Sequence, residues 1–243
     1  MDLYDDVFLY DLVHGDFADP QTFDFYLKQT EISGSPVLEL ACGSGHILIP
    51  LAKNGVEIVG LDNSAEMISA CERKASEQNI KIQILYGDMR KFELGREFKL
   101  IFIAGNSLQH LGTIDELSAC FDCVKRHLAP DGKFVVEVFN PFIPLLVREQ
   151  GKRYMIGEFG DHVLSEDVNY DAAAQISYIN WHFWHRPSNK EKKLSFKMRQ
   201  FFPQEIDLAF NCHGFVIDHK FGDFDEMKFN GNSTKQIIVA GLQ

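Results

Sequence analysis

The sequence predicts an α/β protein: a doubly wound, seven-stranded, mostly parallel sheet carrying an antiparallel β-rich insertion after the fifth strand. Three observations carry that prediction. Strand-like apolar runs alternate with amphipathic helical stretches through the first part of the chain, the pattern of repeated βαβ units. After Phe139 the pattern changes to aromatic, alternating segments separated by turn residues, which reads as a meander of hairpins. A final helix and two strands close the chain. On this division residues 1–140 and 202–243 form one core and residues 141–201 an insertion, and 243 residues suffice for a single domain.

The strands of the first part are PVLEL, EIVGL, IQILYG, KLIFIAG and KFVVEVF, short apolar runs of the kind that buried parallel strands need. Ser64 is placed to N-cap AEMISACERKASEQN, and Asp115 begins the helical run DELSACFDCVKRHL, which APDG ends. Within the insertion, KRYMIGEF, HVLSEDVNY, QISYINWHFWH and KKLSFKMRQFF are strands divided by turns at GD, YDAAA and RPSNKE. PQEIDLAFNCHG is then a helix stopped by Gly214, followed by the strands FVIDHKF and TKQIIVAGL.

Charge narrows the partners. A net charge of −11 and a pI near 5.2 repel polyanions, so binding to nucleic acid or an anionic membrane is disfavoured and a small neutral or cationic partner is expected. The opening MDLYDDVFLYDLVHGDF is acidic and aromatic, with neither a basic leader nor a membrane-spanning apolar run, so a soluble, cytoplasmic protein, monomer or homodimer, is expected. Cys42, Cys71, Cys120, Cys123 and Cys212 are an odd set that does not suggest a disulfide framework, and the lone pair Cys120/Cys123 reads as buried thiols.

Gly43 and Gly45 lie between a buried strand and a helix, where missing side chains let backbone N–H groups approach a ligand. No GK[ST] follows, which excludes a P-loop, and Leu48 stands where a dinucleotide site wants glycine or alanine. There remain an acid in the strand (Glu39), small residues at Ala41, Gly43 and Gly45, and Asp62 ending the next strand, placed to accept from two ribose hydroxyls. The ligand indicated is a nucleoside with no phosphate to cradle.

With those residues in view, ELACGSG resembles the E/D-x-A/G-x-G-x-G signature of class I S-adenosylmethionine-dependent methyltransferases, whose fold is Rossmann-like, and VGLDNSAEMI resembles their second motif. The resemblance implies S-adenosylmethionine as cofactor and S-adenosylhomocysteine as product. It further implies that Gly43 and Gly45 line the methionine and ribose portion, that Asp62 holds the ribose, that Met67 packs on adenine, and that Asn63 is a cofactor contact. YGDMRKF is similar to the family's segment after the third strand, so Asp88 would accept from the adenine amine and the Met89 N–H would face a ring nitrogen; Gly105, after the fourth strand, completes the cofactor side.

Methyl transfer from a sulfonium needs in-line alignment more than catalytic groups; a neutral amine attacks unaided, whereas an alcohol needs a general base. The fourth strand delivers AGNSLQHL to the sheet edge where α/β proteins bind ligands, which makes His110 a candidate to face the acceptor, with Asn106, Ser107 and Gln109 near it. LYDLVHGDF resembles the leading helix of small-molecule members, including sugar-amine N-methyltransferases, and by that match Tyr10 closes over the cofactor while His110 approaches the amine.

The insertion resembles the substrate-covering sheet of such enzymes, and Tyr178, Trp181 and Arg199 are its candidate substrate contacts. Alternation sends Tyr178, Asn180, His182 and Trp184 to one face and Ile179, Trp181, Phe183 and His185 to the other. Both faces are aromatic, leaving three uses open: an acceptor lid, a dimer interface, or packing on the main sheet. No metal is expected, since His182 and His185 point to opposite faces. The activity expected is methyl transfer to a small-molecule N- or O-nucleophile, with an amine favoured. Its rivals are an NAD(P)-dependent oxidoreductase and a non-catalytic S-adenosylmethionine-binding subunit.

Overall fold

The computed structural model describes residues 1–243. A 3₁₀ turn (Leu3–Asp5) leads into α1 (Val7–His14) and α2 (Pro20–Ser33). Alternating units follow: β1 (Val37–Leu40), α3 (Leu48–Lys53), β2 (Ile58–Asp62), α4 (Ala65–Glu77), β3 (Gln83–Tyr86), β4 (Phe98–Ile103), a 3₁₀ turn (Ser107–His110), α5 (Ile114–His127) and β5 (Leu128–Phe139). The insertion holds α6 (Ile143–Leu146), β6 (Tyr154–Phe159), β7 (His162–Asp171), β8 (Ile176–His185) and β9 (Lys190–Arg199), before α7 (Pro203–Cys212), β10 (Phe215–Phe221) and β11 (Lys235–Leu242).

The main sheet has the order β10-β11-β5-β4-β1-β2-β3, parallel from β5 to β3, with β11 and β10 added antiparallel. Alternation along buried strands divides its side chains between two layers. Leu38, Leu40, Ile101 and Ile103 pack with Phe121 of α5 and Phe210 of α7 on one face. Val37, Leu100 and Phe102 pack with Tyr26 of α2, Leu48 of α3 and Cys71 of α4 on the other. The sheet is therefore doubly wound, and Glu39, which shares Val37's face, lies under α3.

Helix starts follow side-chain caps. Ser64 Oγ accepts from the Met67 N–H at the start of α4, and Asp19 accepts from Gln21 and Thr22 ahead of Pro20 in α2. α5 is capped by Thr113 in a reciprocal box with Glu116, so it begins before Asp115. Leu128 and Ala129 are buried, and β5 starts directly after α5 instead of waiting for APDG to end.

The four insertion strands form the meander β6-β7-β8-β9. Phe183 and Leu194, with Trp181 and Phe196 beside them, pack on Leu3 and Leu9 of the amino-terminal segment. That face of the insertion meets the first residues of the chain, which in turn lie against the turn after β1. The Ser195 N–H donates to the Met1 carbonyl at 3.0 Å, and Asp6 pairs with Lys192.

An ion pair holds the amino-terminal segment to the core. Lys74 of α4, whose side chain is 7% exposed, places Nζ 2.7 Å from Asp11 of α1. Ser44 donates to the same carboxylate at 2.7 Å and His46 Nε2 at 3.1 Å. Burial works against the Asp11 charge, but the bonds from His46, Lys74 and Ser44 outweigh it and hold the carboxyl below the usual carboxylate range. Such a group contributes stability that is complete above its unfolded pKa and lost as pH falls through the lower folded value. Asp11→Ala should cost about 3 kcal/mol, the low end for a broken buried pair because Asp16 stays 3.7 Å from Nζ. Urea unfolding as a function of pH checks this: the stability that wild type loses below about pH 4 should be missing from the variant at every pH.

Candidate active site

A cavity of about 460 Å³ opens at the carboxyl end of β1 and β2, a size suited to one cofactor-sized ligand. Its floor is the turn after β1. Ala41 lines it with φ +55°, a left-handed conformation that costs a non-glycine residue energy and is maintained by the surrounding packing. Gly43 lines it with φ +54°, and a Cβ built there meets no atom within 4 Å. Gly45 differs: it is absent from the cavity wall, has φ +88°, and a Cβ there would collide with Cys71 Sγ and the Ile49 side chain. The first glycine keeps ligand space open, and the second lets α4 pack on the turn.

Two carboxylates tie this floor together. Asp62 Oδ2 accepts from the Gly43 N–H at 2.7 Å and Oδ1 from the Ser64 N–H at 2.8 Å, so one side chain joins the turns after β1 and β2. Burial raises its pKa despite those bonds. Glu39 is buried and leaves Oε2 without a partner; burial, then the nearby Asp62, push its pKa well up. An orphaned carboxylate oxygen beneath an open glycine turn is what an incoming ammonium group would satisfy. Leu48 is fully buried, its bulk accommodated because β2 carries Gly60 against it, where a dinucleotide site would need a small residue.

The walls come from three distant parts of the chain. Asp2, Tyr4 and Asp5 come from the first 3₁₀ turn, Tyr10 from α1, Ser107 and His110 from the second 3₁₀ turn, and Phe196 and Lys197 from β9. Tyr10 packs on both His14, 4.2 Å away, and His46, 5.5 Å away, the two imidazoles being 6.4 Å apart, and His14 stacks on Trp181 at 5.7 Å. Fully buried Gln109 places His110: its Nε2 donates to the Arg199 carbonyl and its Oε1 accepts from the Phe139 N–H, bridging β9 and β5. His110 Nδ1 lies 3.0 Å from the Lys197 carbonyl and Nε2 2.5 Å from the Tyr4 hydroxyl. Burial lowers its pKa, so the ring is neutral near pH 7.

Of the residues expected at the site, Tyr10, Ala41, Gly43, Asp62, Asn63, Met89, Ser107 and His110 line this cavity, with Glu39 beneath it. Others do not. Met67 is 1% exposed, because the phase of α4 turns Glu66 to the cavity and Met67 inward. Asp88 is bonded through both oxygens to the Arg90 guanidinium, which holds its carboxyl below the usual range and leaves it outside the wall. Gly105 donates its N–H to buried Glu137, and Asn106 adopts φ +62° with a buried, unpartnered Oδ1, both next to the wall.

Tyr178 is 47% exposed on the opposite face of β8, and Arg199 is buried in a 2.6 Å pair with Glu205. Trp181 acts at one remove, packing 5.1 Å from Phe196, while its Nε1–H donates to Glu166. Tyr4, Asp2, Asp5, Ser64, Glu66, Phe196 and Lys197 line the cavity without having been singled out; the acidic, aromatic opening DLYDD was the one signal for the first of them.

A parallel β5-to-β3 sheet with two antiparallel strands on its edge, a glycine turn after β1 and an acid ending β2 make up the Rossmann-like fold of class I methyltransferases. Residues 37–132 match the model of a methyltransferase domain. YqeM of Bacillus subtilis (strain 168), which carries a methyltransferase designation, is 26% identical over 94% of each chain. The dTDP-3-amino-3,6-dideoxy-alpha-D-glucopyranose N,N-dimethyltransferase of Streptomyces fradiae is 34% identical over 53% of this chain, and the match spans 51% of that relative's length. The crystal structure of the CcbJ methyltransferase from Streptomyces caelestis superposes with a TM-score of 0.83 at 26% identity, covering 94% of this chain and 92% of that one. The chain is an S-adenosylmethionine-dependent methyltransferase.

The two glycines separate experimentally. Gly43→Ala should stay within about 1 kcal/mol of wild-type stability, the cost of a left-handed alanine, yet weaken binding of S-adenosylhomocysteine. Gly45→Ala should lower the melting temperature sharply, since the collision adds to the strain. Thermal unfolding and calorimetric titration of both variants test the distinction.

Proposed function

We propose that the chain methylates an amine nitrogen of a small molecule, using S-adenosylmethionine. The observation that carries this reading is the charge of the cavity wall. Asp2, Asp5, Asp62 and Glu66 line it against one cation, Lys197, with a further carboxylate at Glu39 below. Such a site attracts a cationic cofactor and an ammonium acceptor and repels carboxylate or phosphate at the point of reaction. The sugar-amine dimethyltransferase among the relatives supports the same acceptor chemistry.

The residues divide the work. In this reading Asp62 accepts from the ribose hydroxyls through lone pairs not used by Gly43 and Ser64, and Glu39 attracts the methionine ammonium. Asn63 and Met89 serve the adenine side, and Gly43 keeps the path clear. The bound cofactor supplies an electrophilic methyl group on a sulfonium, which a neutral amine attacks in line as the thioether leaves. Tyr10, held by packing on the imidazoles of His14 and His46, and Phe196 exclude water from that line, while Ser107 and neutral His110 border the acceptor side. No helix is long and apolar enough to cross a membrane, and five unpaired thiols accord with a reducing, cytoplasmic setting.

Incubation with S-adenosylmethionine and paired small molecules that differ only in amine against hydroxyl tests the acceptor, read by mass. Methyl transfer to the amines is expected; transfer confined to the hydroxyl members would sink the amine assignment. Asp62→Ala should weaken S-adenosylhomocysteine binding by about thirtyfold or more, the loss expected from about 2 kcal/mol of charge-assisted hydrogen bonding. Wild-type affinity in that variant would remove Asp62 from the ribose site.

A further inference from the structure

Both ring nitrogens of His110 are engaged. The Lys197 carbonyl at Nδ1 can only accept, so Nδ1 carries the proton and Nε2 presents a lone pair, to which the Tyr4 hydroxyl donates. The acceptor therefore cannot reach a free nitrogen of His110. Tyr4 also lines the cavity, and with its proton committed to His110 its oxygen retains lone pairs only for whatever lies beside it. We propose that Tyr4 is the residue that meets the acceptor nucleophile, accepting a hydrogen bond from its N–H, and that His110 is a positioning residue that fixes the Tyr4 proton. This rests on the methyl-transfer reading above.

The arrangement orients the nucleophile: an N–H directed at Tyr4 turns the nitrogen lone pair away from it. As the N–C bond forms the C–S bond breaks, and its electron pair stays on sulfur. The extra proton stays on nitrogen, and the methylated ammonium carries it away on release. Tyr4 remains a neutral phenol throughout, which suits a hydroxyl whose pKa is pushed well up by burial and then by Tyr10, Asp2 and Asp62.

The charged and titratable groups facing the pair are Asp2, Tyr10, Asp62 and Lys197. None donates to Nε2. Protonation of His110 would put an N–H against Tyr4 and turn its hydroxyl toward the acceptor as a donor, so kcat/KM should fall on the acid side through that ionisation.

Tyr4→Phe keeps the ring and its packing on Tyr10 and His110. It should lower kcat by about 100-fold while leaving S-adenosylhomocysteine affinity unchanged, and the acid limb belonging to His110 should disappear. His110→Gln should lower kcat as well, and the double variant should be no slower than Tyr4→Phe alone, because the two act in series. Wild-type kcat in Tyr4→Phe, or losses that multiply in the double variant, would overturn the assignment. Wild-type protein that binds S-adenosylhomocysteine yet methylates no amine would overturn the function reading and this one together, whereas the variant results bear on Tyr4 alone.

Discussion

The Asp11–Lys74 ion pair is the contact on which the rest of the site depends. It joins α1 to α4 across the glycine turn, and Ser44 and His46 of that turn bond to the same carboxylate. With it in place Tyr10 is held against His46, and the preceding 3₁₀ turn brings Tyr4 to His110. A charge pair taken out of water stabilises only when its remaining hydrogen-bonding capacity is met, and here Ser44 and His46 of the turn meet that of Asp11. The result is geometric specificity: α1 has one seat, and the wall it forms has one position.

Around that contact the protein concentrates negative charge where burial resists it. Glu39 and Asp62 are both raised in pKa by desolvation, and Asp62 raises Glu39 further. Such an arrangement is unfavourable in the free protein, and a cation entering the cavity relieves it. Asp2 and Asp5 line the same cavity and extend its negative field.

Much of the sheet was legible because buried parallel strands have a plain pattern: VLEL, IVGLD and FKLIFI are nearly continuous apolar runs, and an acid inside one of them is conspicuous. Glu39 and Asp62 stand out for that reason. Side-chain direction on helices was less legible. Glu66 and Met67 are adjacent, the motif match pointed to the methionine, and the phase of α4 turns the glutamate toward the cavity. Asp88 was ambiguous for another reason: Arg90, two residues on, competes for its carboxylate, and sequence alone does not rank a local guanidinium against a ligand. Tyr4, Phe196 and Lys197 were missed because their place at the site depends on pairings across most of the chain, which no local pattern encodes. The aromatic insertion showed two plausible faces, and the choice between them was made by Leu3 and Leu9, far away in sequence.

The contact between the amino-terminal segment and β9 has a consequence for the order of assembly. Asp6 and Lys192 are 186 residues apart, and Tyr4 and His110 are 106 apart. Leu3 and Leu9 are made well before the strands that cover them, and they stay uncovered until the meander has formed. Contacts of such long separation cost loop entropy before they return any stability. Until β9 has been made and paired, the cavity lacks Phe196 and Lys197 and stays open on that side.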